Sequence, residues 1–180
     1  MGKLVVISGS SGVGKGTVIK EFLAKNPEFK LSISCTTRLP REGEVDGVNY
    51  FFLSREDFQN AINEGKFLEW AEFSGNMYGT RLDYVSKKLS EGHNIILEID
   101  TQGALKVKSQ LPEAILIFIL PPSLEELEAR LRGRHTETEE AIQKRLSSIK
   151  SEMENSKKYD FTIVNDSVDN AVKSLENLLK

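Results

Sequence analysis

Hydrophobic positions along this chain keep two rhythms in turn. Short apolar runs at Leu4–Ile7, Asn94–Asp100 ("NIILEID") and Ala114–Leu120 ("AILIFIL") have the length and β-branched content of strands buried on both faces. Further strands are expected at about Phe29–Cys35, in "KFLEWAEFSG" and at Phe161–Val164. Helix-spaced segments lie between them. One follows a glycine loop and ends near Lys25. One begins at Ser54 with Asp57, one runs over about 81–91, one opens on the Ser123/Glu126 capping box, and long ones cover about 139–158 and 168–179. Asp46-Gly47 before "VNYFF" is a hairpin signal, and "GRHTETEE" is a polar, glycine-broken tip. Strands alternating with helices predict an α/β fold, a parallel sheet covered on both faces. The β-rich interval from Phe29 to Gly75 breaks the alternation and reads as an inserted subdomain.

Composition narrows this picture little. The chain has 180 residues, enough for one domain with a real core, and no internal repeat or low-complexity tract. A net charge of -3 gives no sign of general nucleic-acid binding. No apolar run is long enough to span a bilayer, and the N-terminus lacks a signal-peptide pattern. Cys35 is the single cysteine, so no internal disulfide forms, and a cytoplasmic location is expected.

The glycine loop carries the chemistry. "GSSGVGKGT" fits the phosphate-loop spacing G-x-x-x-x-G-K, with Gly9, Gly14 and Lys15 in place between a strand and a helix. Gly9, Ser10, Ser11, Gly12, Val13, Gly14, Lys15, Gly16 and Thr17 are therefore the expected triphosphate cradle. Its backbone N–H groups and the positive helix end face phosphate oxygens, and Lys15 reaches the β- and γ-phosphates. The usual magnesium-holding hydroxyl is replaced by Gly16, with Thr17 one residue late. A helical step turns a side chain by about 100°, so Thr17 does not simply substitute. The metal is then expected on nucleotide oxygens, waters and acids elsewhere. Glu98 and Asp100 end an apolar strand, where open α/β sheets bind ligands, and two residues apart they point to one side.

A second anion site decides among GTPase, ATPase and small kinase. Arg38 and Arg41 flank Pro40 in "SCTTRLPREGE"; two guanidinium forks suit a phosphate monoester, and Tyr50 and Tyr78 add phenol donors. Together with "SISCTTRLPREGEVDGVNYFF", "FLEWAEFSGNMYGT", "EIDTQGA" and "RLRGRHTETEEAIQKRL", the chain resembles guanylate kinase over nearly its whole length. The resemblance implies a phosphate-loop three-layer fold, with a central parallel sheet flanked by helices. Its core would be about 1–33, 81–125 and 150–180. A mixed-β GMP-binding insert would cover about 34–80 and a helical lid about 126–149.

It also implies ATP-dependent phosphorylation of GMP and dGMP, with Mg²⁺ accompanying ATP. Arg38, Arg41, Tyr50 and Tyr78 would hold the GMP phosphate; Ser34, Glu69, Thr80 and Asp100 would read guanine. Lys15 and the lid arginines Arg130, Arg134 and Arg145 would serve catalysis, and Asn165 would border the adenine pocket. The family accepts glycine at the Gly16 position, which favours the arrangement read above, with Mg²⁺ at Glu98 and Asp100 held through water. It implies small-molecule partners only, with neither nucleic acid nor membrane, and a monomer or small homo-oligomer. The rival readings are an adenylate-kinase-type enzyme, against which Glu69 and the "TTRLPR" loop speak, and a non-catalytic phosphopeptide-binding module, against which the intact loop speaks.

Overall fold

The computed structural model describes residues 2–10, 12–123, 125, 128–129, 132, 138–140, 142–143, 147 and 154–180. In chain order these include β1 (Leu4–Gly9), α1 (Lys15–Lys25), β2 (Phe29–Leu31), β3 (Cys35–Thr36), β4 (Phe51–Phe52), α2 (Arg55–Asn63), β5 (Phe67–Phe73) and β6 (Asn76–Arg81). Then come α3 (Leu82–Ser90), β7 (Asn94–Glu98), α4 (Thr101–Gln110), β8 (Ile115–Leu120), a 3₁₀ turn (Ser156–Lys158), β9 (Phe161–Val164) and α5 (Val168–Leu179). The central parallel sheet has five strands in the order β2-β7-β1-β8-β9. A second, mixed sheet runs β4-β3-β6-β5, with β3 parallel to β4 and antiparallel to β6. Its pattern confirms the α/β class and the mixed-β insert.

The chain forms two compact units. The first comprises Met1–Val5, Glu28–Leu97 and Gln102–Ala114. Its mixed sheet has its own small core of Cys35, Phe58, Phe67 and Met77, with the rings of Phe58 and Phe67 stacked at 4.4 Å. Phe58 comes from α2, whose start is fastened by Ser54: its hydroxyl accepts the Asp57 N–H at 3.0 Å and donates to the Asp57 carboxylate at 2.6 Å. The second unit comprises Val6–Pro27, Glu98–Thr101 and Ile115–Lys180. Leu116, Ile117, Phe118 and Ile119 of β8 are fully buried there, as a two-face-covered strand requires. Helices α1 and α5 pack together, and the Asn26 amide ties them by donating to Phe22 O and to Glu176 Oε1.

Two expectations change, and two elements are new. The run at 29–35 is not one strand: β2 pairs with β7 in the parallel sheet, and β3 belongs to the mixed sheet. One apolar run serves two ladders. Asp46-Gly47 closes no hairpin, because β3 and β4 are parallel. Instead the Asp46 carboxylate accepts the Phe52 N–H at 2.8 Å, and Gly47 takes the left-handed φ of 72° that the bend needs. The true hairpin joins β5 and β6 through Ser74 and Gly75, at φ 49° and 75°, the paired positive angles of a type I′ turn. The strand β6 and the helix α4 were not expected from the pattern. Glu126 of the capping box lies outside the described residues.

Candidate active site

In the second unit, β1 delivers the chain to the loop and α1 leaves it. Gly12 and Gly14 stand at φ 83° and 86°, which L side chains rarely adopt. Gly9 is required for a different reason: a Cβ there would lie 2.8 Å from the Ile119 carbonyl oxygen of β8. No side chain caps α1 and its first turn carries no acid, which leaves its positive end to the loop. The Ser10 hydroxyl is buried and finds no hydrogen-bond partner among the described residues. An orphaned hydroxyl in a glycine loop at a helix start fits phosphate oxygens. The loop is fastened from behind by Asn165. Its amide, in a residue only 4% exposed, donates to Val13 O at 2.7 Å.

Lys15 begins α1, and its ammonium lies 3.9 Å from Glu98 Oε1. The same oxygen would meet a Cβ on Gly16 at 3.8 Å. So the carboxylate of Glu98 stands beside the position where other loops carry a metal-holding hydroxyl. This donor set fits a hydrated Mg²⁺ next to the triphosphate. Among the described residues no group of three or more His, Cys, Asp or Glu gathers. The strand argument for Asp100 needs correction: β7 stops at Glu98, and Asp100 lies in the short link before α4. Two-residue strand alternation therefore does not set its direction. The Ser8 hydroxyl donates to Ile99 O at 2.8 Å and anchors that link to β1.

In the first unit, Arg38 is gripped from several sides. Its guanidinium donates to Glu44 Oε1 and to Leu39 O, each at 2.8 Å, and lies 5.4 Å from the Tyr50 ring centre and 5.9 Å from that of Phe52. Glu44 is the main cause holding Arg38 above the ordinary arginine pKa, with the Tyr78 hydroxyl a further hydrogen-bond partner. Glu44 in turn is held below the usual carboxylate range by Arg38 first and the Arg41 N–H second, which reaches Oε2 at 2.7 Å. Tyr50 meets Tyr78 edge-on, ring centres 6.3 Å apart.

Two residues along β6 from Tyr78 is Thr80. Its hydroxyl donates to Glu69 Oε1 at 2.6 Å, with both residues buried. Residues i and i+2 share a sheet face about 7 Å apart. A cationic and phenolic cluster (Arg38, Tyr50, Tyr78) and a buried carboxylate (Glu69 with Thr80) thus lie along one face of one sheet. Ser34 belongs to the same sheet region, its carbonyl accepting the Phe51 N–H at 2.9 Å, and Arg41 is exposed beside Glu44.

The profile of the family described as guanylate kinase matches residues 1–180. The chain belongs to the guanylate kinase family. It is 52% identical over 178 residues to the guanylate kinase of Caldanaerobacter subterraneus subsp. tengcongensis, covering 99% of this chain and 86% of that one. It is 51% identical over 178 residues to that of Prochlorococcus marinus subsp. pastoris, covering 99% and 97%. Its fold is similar to the crystal structure of guanylate kinase from Anaplasma phagocytophilum. The TM-score is 0.75 and the identity 31%, over 99% of this chain and 84% of that chain.

Within this guanylate kinase fold, Ser11, Arg130, Arg134, Arg145 and His135 lie outside the described residues. Arg132 is held by Glu128 and Glu139. Sequence reasoning missed Glu44. The signal was present: "RLPREGE" sets it three residues after Arg41 and six after Arg38, in reach of both once the loop turns back on itself. It also read Asn165 only toward adenine and not as the clasp on the loop.

Proposed function

We infer that this enzyme transfers the γ-phosphoryl group of ATP to GMP, yielding ADP and GDP, and accepts dGMP equally in kind. The observation that carries this reading is the alignment in the mixed sheet. A cationic and phenolic grip stands one strand step from a buried carboxylate that accepts from Thr80. Guanine's Watson–Crick edge presents two adjacent donors, N1–H and the 2-amino group, which one carboxylate accepts together; adenine presents no such pair. Arg38 and Arg41 take the phosphate, and Ser34 and Asp100 complete the base contacts.

ATP then belongs on the loop of the other unit. Its phosphates meet the loop N–H groups, Ser10, Thr17 and Lys15, and Asn165 holds the loop at the edge of the adenine pocket. An oxygen of the GMP phosphate attacks the γ-phosphorus in line, and the bond to the ADP oxygen breaks. The attacking phosphate is already anionic at neutral pH, so no general base is required. Alignment and charge neutralisation supply the acceleration. Lys15 bears part of that charge, and Arg130, Arg134 and Arg145 of the lid are assigned the remainder. Glu98 and Asp100 would hold Mg²⁺ through water, and the ion when bound neutralises charge on the β- and γ-phosphates. Transfer without hydrolysis requires water to be excluded when both nucleotides are bound.

Core, GMP-binding insert and lid are assigned as about 1–33 with 81–125 and 150–180, 34–80, and 126–149. No helix among the described residues is long and apolar enough to cross a membrane. We assign the enzyme to cytoplasmic purine nucleotide metabolism, as a monomer or small homo-oligomer. A coupled assay of ADP formation with GMP, dGMP, AMP and UMP tests the reading. GMP and dGMP should be used well and AMP and UMP poorly. Equal use of AMP would instead make this an adenylate-kinase-type enzyme.

A further inference from the structure

We propose that Lys106 and Gln110, on helix α4, are positioning residues for recognition of the guanine base. They hold the two strand carbonyls on either side of Glu69 and so set the direction of its carboxylate. The inference rests on the reading of Glu69 as the residue that accepts from guanine.

Glu69 sits on the edge strand of the mixed sheet, and the ladder with β6 is irregular just before it. Phe67 faces Arg81 and Glu69 faces Thr80, so Leu68 is an extra residue in β5, a β-bulge. A bulge re-aims the next side chain, and it leaves the extra residue's backbone groups outside the ladder. On an edge strand nothing in the sheet restrains it, and a one-residue slip would turn Glu69 to the opposite face. Here the Leu68 carbonyl oxygen accepts from Gln110 Nε2 at 2.6 Å, and the Trp70 carbonyl oxygen accepts from Lys106 Nζ at 3.3 Å.

The spacings match. Residues four apart on a helix rise about 6 Å on one face, and carbonyls two apart on a strand are about 7 Å apart on one side. The Lys106 ammonium also lies 5.9 Å from the Trp70 ring centre, which adds a second hold on the residue after Glu69. Glu69 between them is only 8% exposed, and Thr80 holds its Oε1. A small error in strand direction therefore moves the carboxylate off the two guanine donors.

The test compares GMP with IMP, which lacks the 2-amino group, and follows KM, kcat and the ratio of kcat/KM values. Gln110→Glu keeps the shape and removes the donor; Lys106→Met keeps the stem and removes the charge. Each should raise KM for GMP by about threefold to tenfold, the worth of one lost hydrogen bond. Each should narrow the GMP/IMP ratio and leave KM for ATP and kcat near the parent. Gln110→Lys and Lys106→Arg, which keep a donor, should restore parental values. Lys106 and Gln110 are both exposed residues, so neither change should weaken the fold and each variant carries the test on its own.

Glu69→Gln separates the two layers of the argument. A GMP/IMP ratio that Glu69→Gln leaves unchanged overturns the reading of Glu69, and this inference with it. A ratio that collapses in Glu69→Gln but stays parental in both α4 variants overturns the positioning role alone.

Discussion

Gly16 is where the glycine loop departs from the phosphate-loop pattern's magnesium-holding hydroxyl, and its surroundings predict what substitution does. A Cβ at this position meets only Glu98 Oε1, at the ordinary contact distance of 3.8 Å. Gly16→Ser should therefore fold normally and keep activity within about tenfold of the parent, roughly 1.4 kcal/mol on the barrier. Thr17→Val should cost more, since it removes a hydroxyl assigned to phosphate and keeps the shape. Turnover of both variants across a Mg²⁺ titration decides; an inactive Gly16→Ser beside an active Thr17→Val would reverse the two roles. Lys15 is a separate case. Its ammonium lies 3.9 Å from Glu98 Oε1, too distant to matter much for stability. Lys15→Met should lower turnover by about a hundredfold or more, as loss of a transition-state cation does, with the melting temperature nearly unchanged. Turnover and a thermal melt on one preparation check both halves of that statement.

Among the elements, the mixed sheet depends on a small core that one helix completes. Phe58 of α2 is fully buried against Phe67, Cys35 and Met77. Phe58→Ala should destabilise by about 3–5 kcal/mol, because so small a core leaves little to collapse into the space. Urea unfolding measures this, and a loss under about 1 kcal/mol would show that the sheet does not rely on α2. The same core sets a pH dependence. Burial pushes the Cys35 thiol from 9.0 up to about 11. The folded state thus holds the proton more tightly than the unfolded chain. This contribution is fully present below pH 9, and it is lost as pH rises through about 11. Stability followed by urea unfolding should fall across that window, and Cys35→Ala should flatten the fall. An identical slope in the alanine variant would assign the alkaline loss to other groups.

At the scale of the whole molecule, the residues proposed for the GMP phosphate (Arg38, Arg41, Tyr50 and Tyr78) belong to one compact unit and those proposed for the ATP phosphates (the glycine loop with Lys15) to the other, so protection by the two nucleotides should be separable. A ligand at about a hundred times its Kd adds about 2.7 kcal/mol to the folded state. GMP and ATP should each raise the melting temperature of the parent; Arg38→Met should abolish protection by GMP and preserve that by ATP. Loss of both would overturn the two-site assignment. Much of this organisation was legible in the chain alone. The glycine loop between β1 and α1 was, because its closely spaced glycines state their own backbone angles. The bounds of α5 were, because Ser167 caps it and its apolar residues recur at helical spacing. The helix α4 was not: its buried residues are Gly103, Ala104 and Val107, too small to raise a strong apolar stripe. The split of the run at 29–35 was not, since two sheets compete for one strand-like segment and only pairing with β7 and β6 divides it. Candidate residues such as Arg38, Tyr78 and Glu69 were visible as residue types within motifs. Which carboxylate meets which cation, the bulge that aims Glu69 and the α4 side chains that fasten it were decided by tertiary structure. Gln110 meets Leu68 and Asn165 meets Val13 across stretches of 42 and 152 residues. Contacts at that separation leave no trace in local hydrophobic rhythm; they exist only once the sheets have formed.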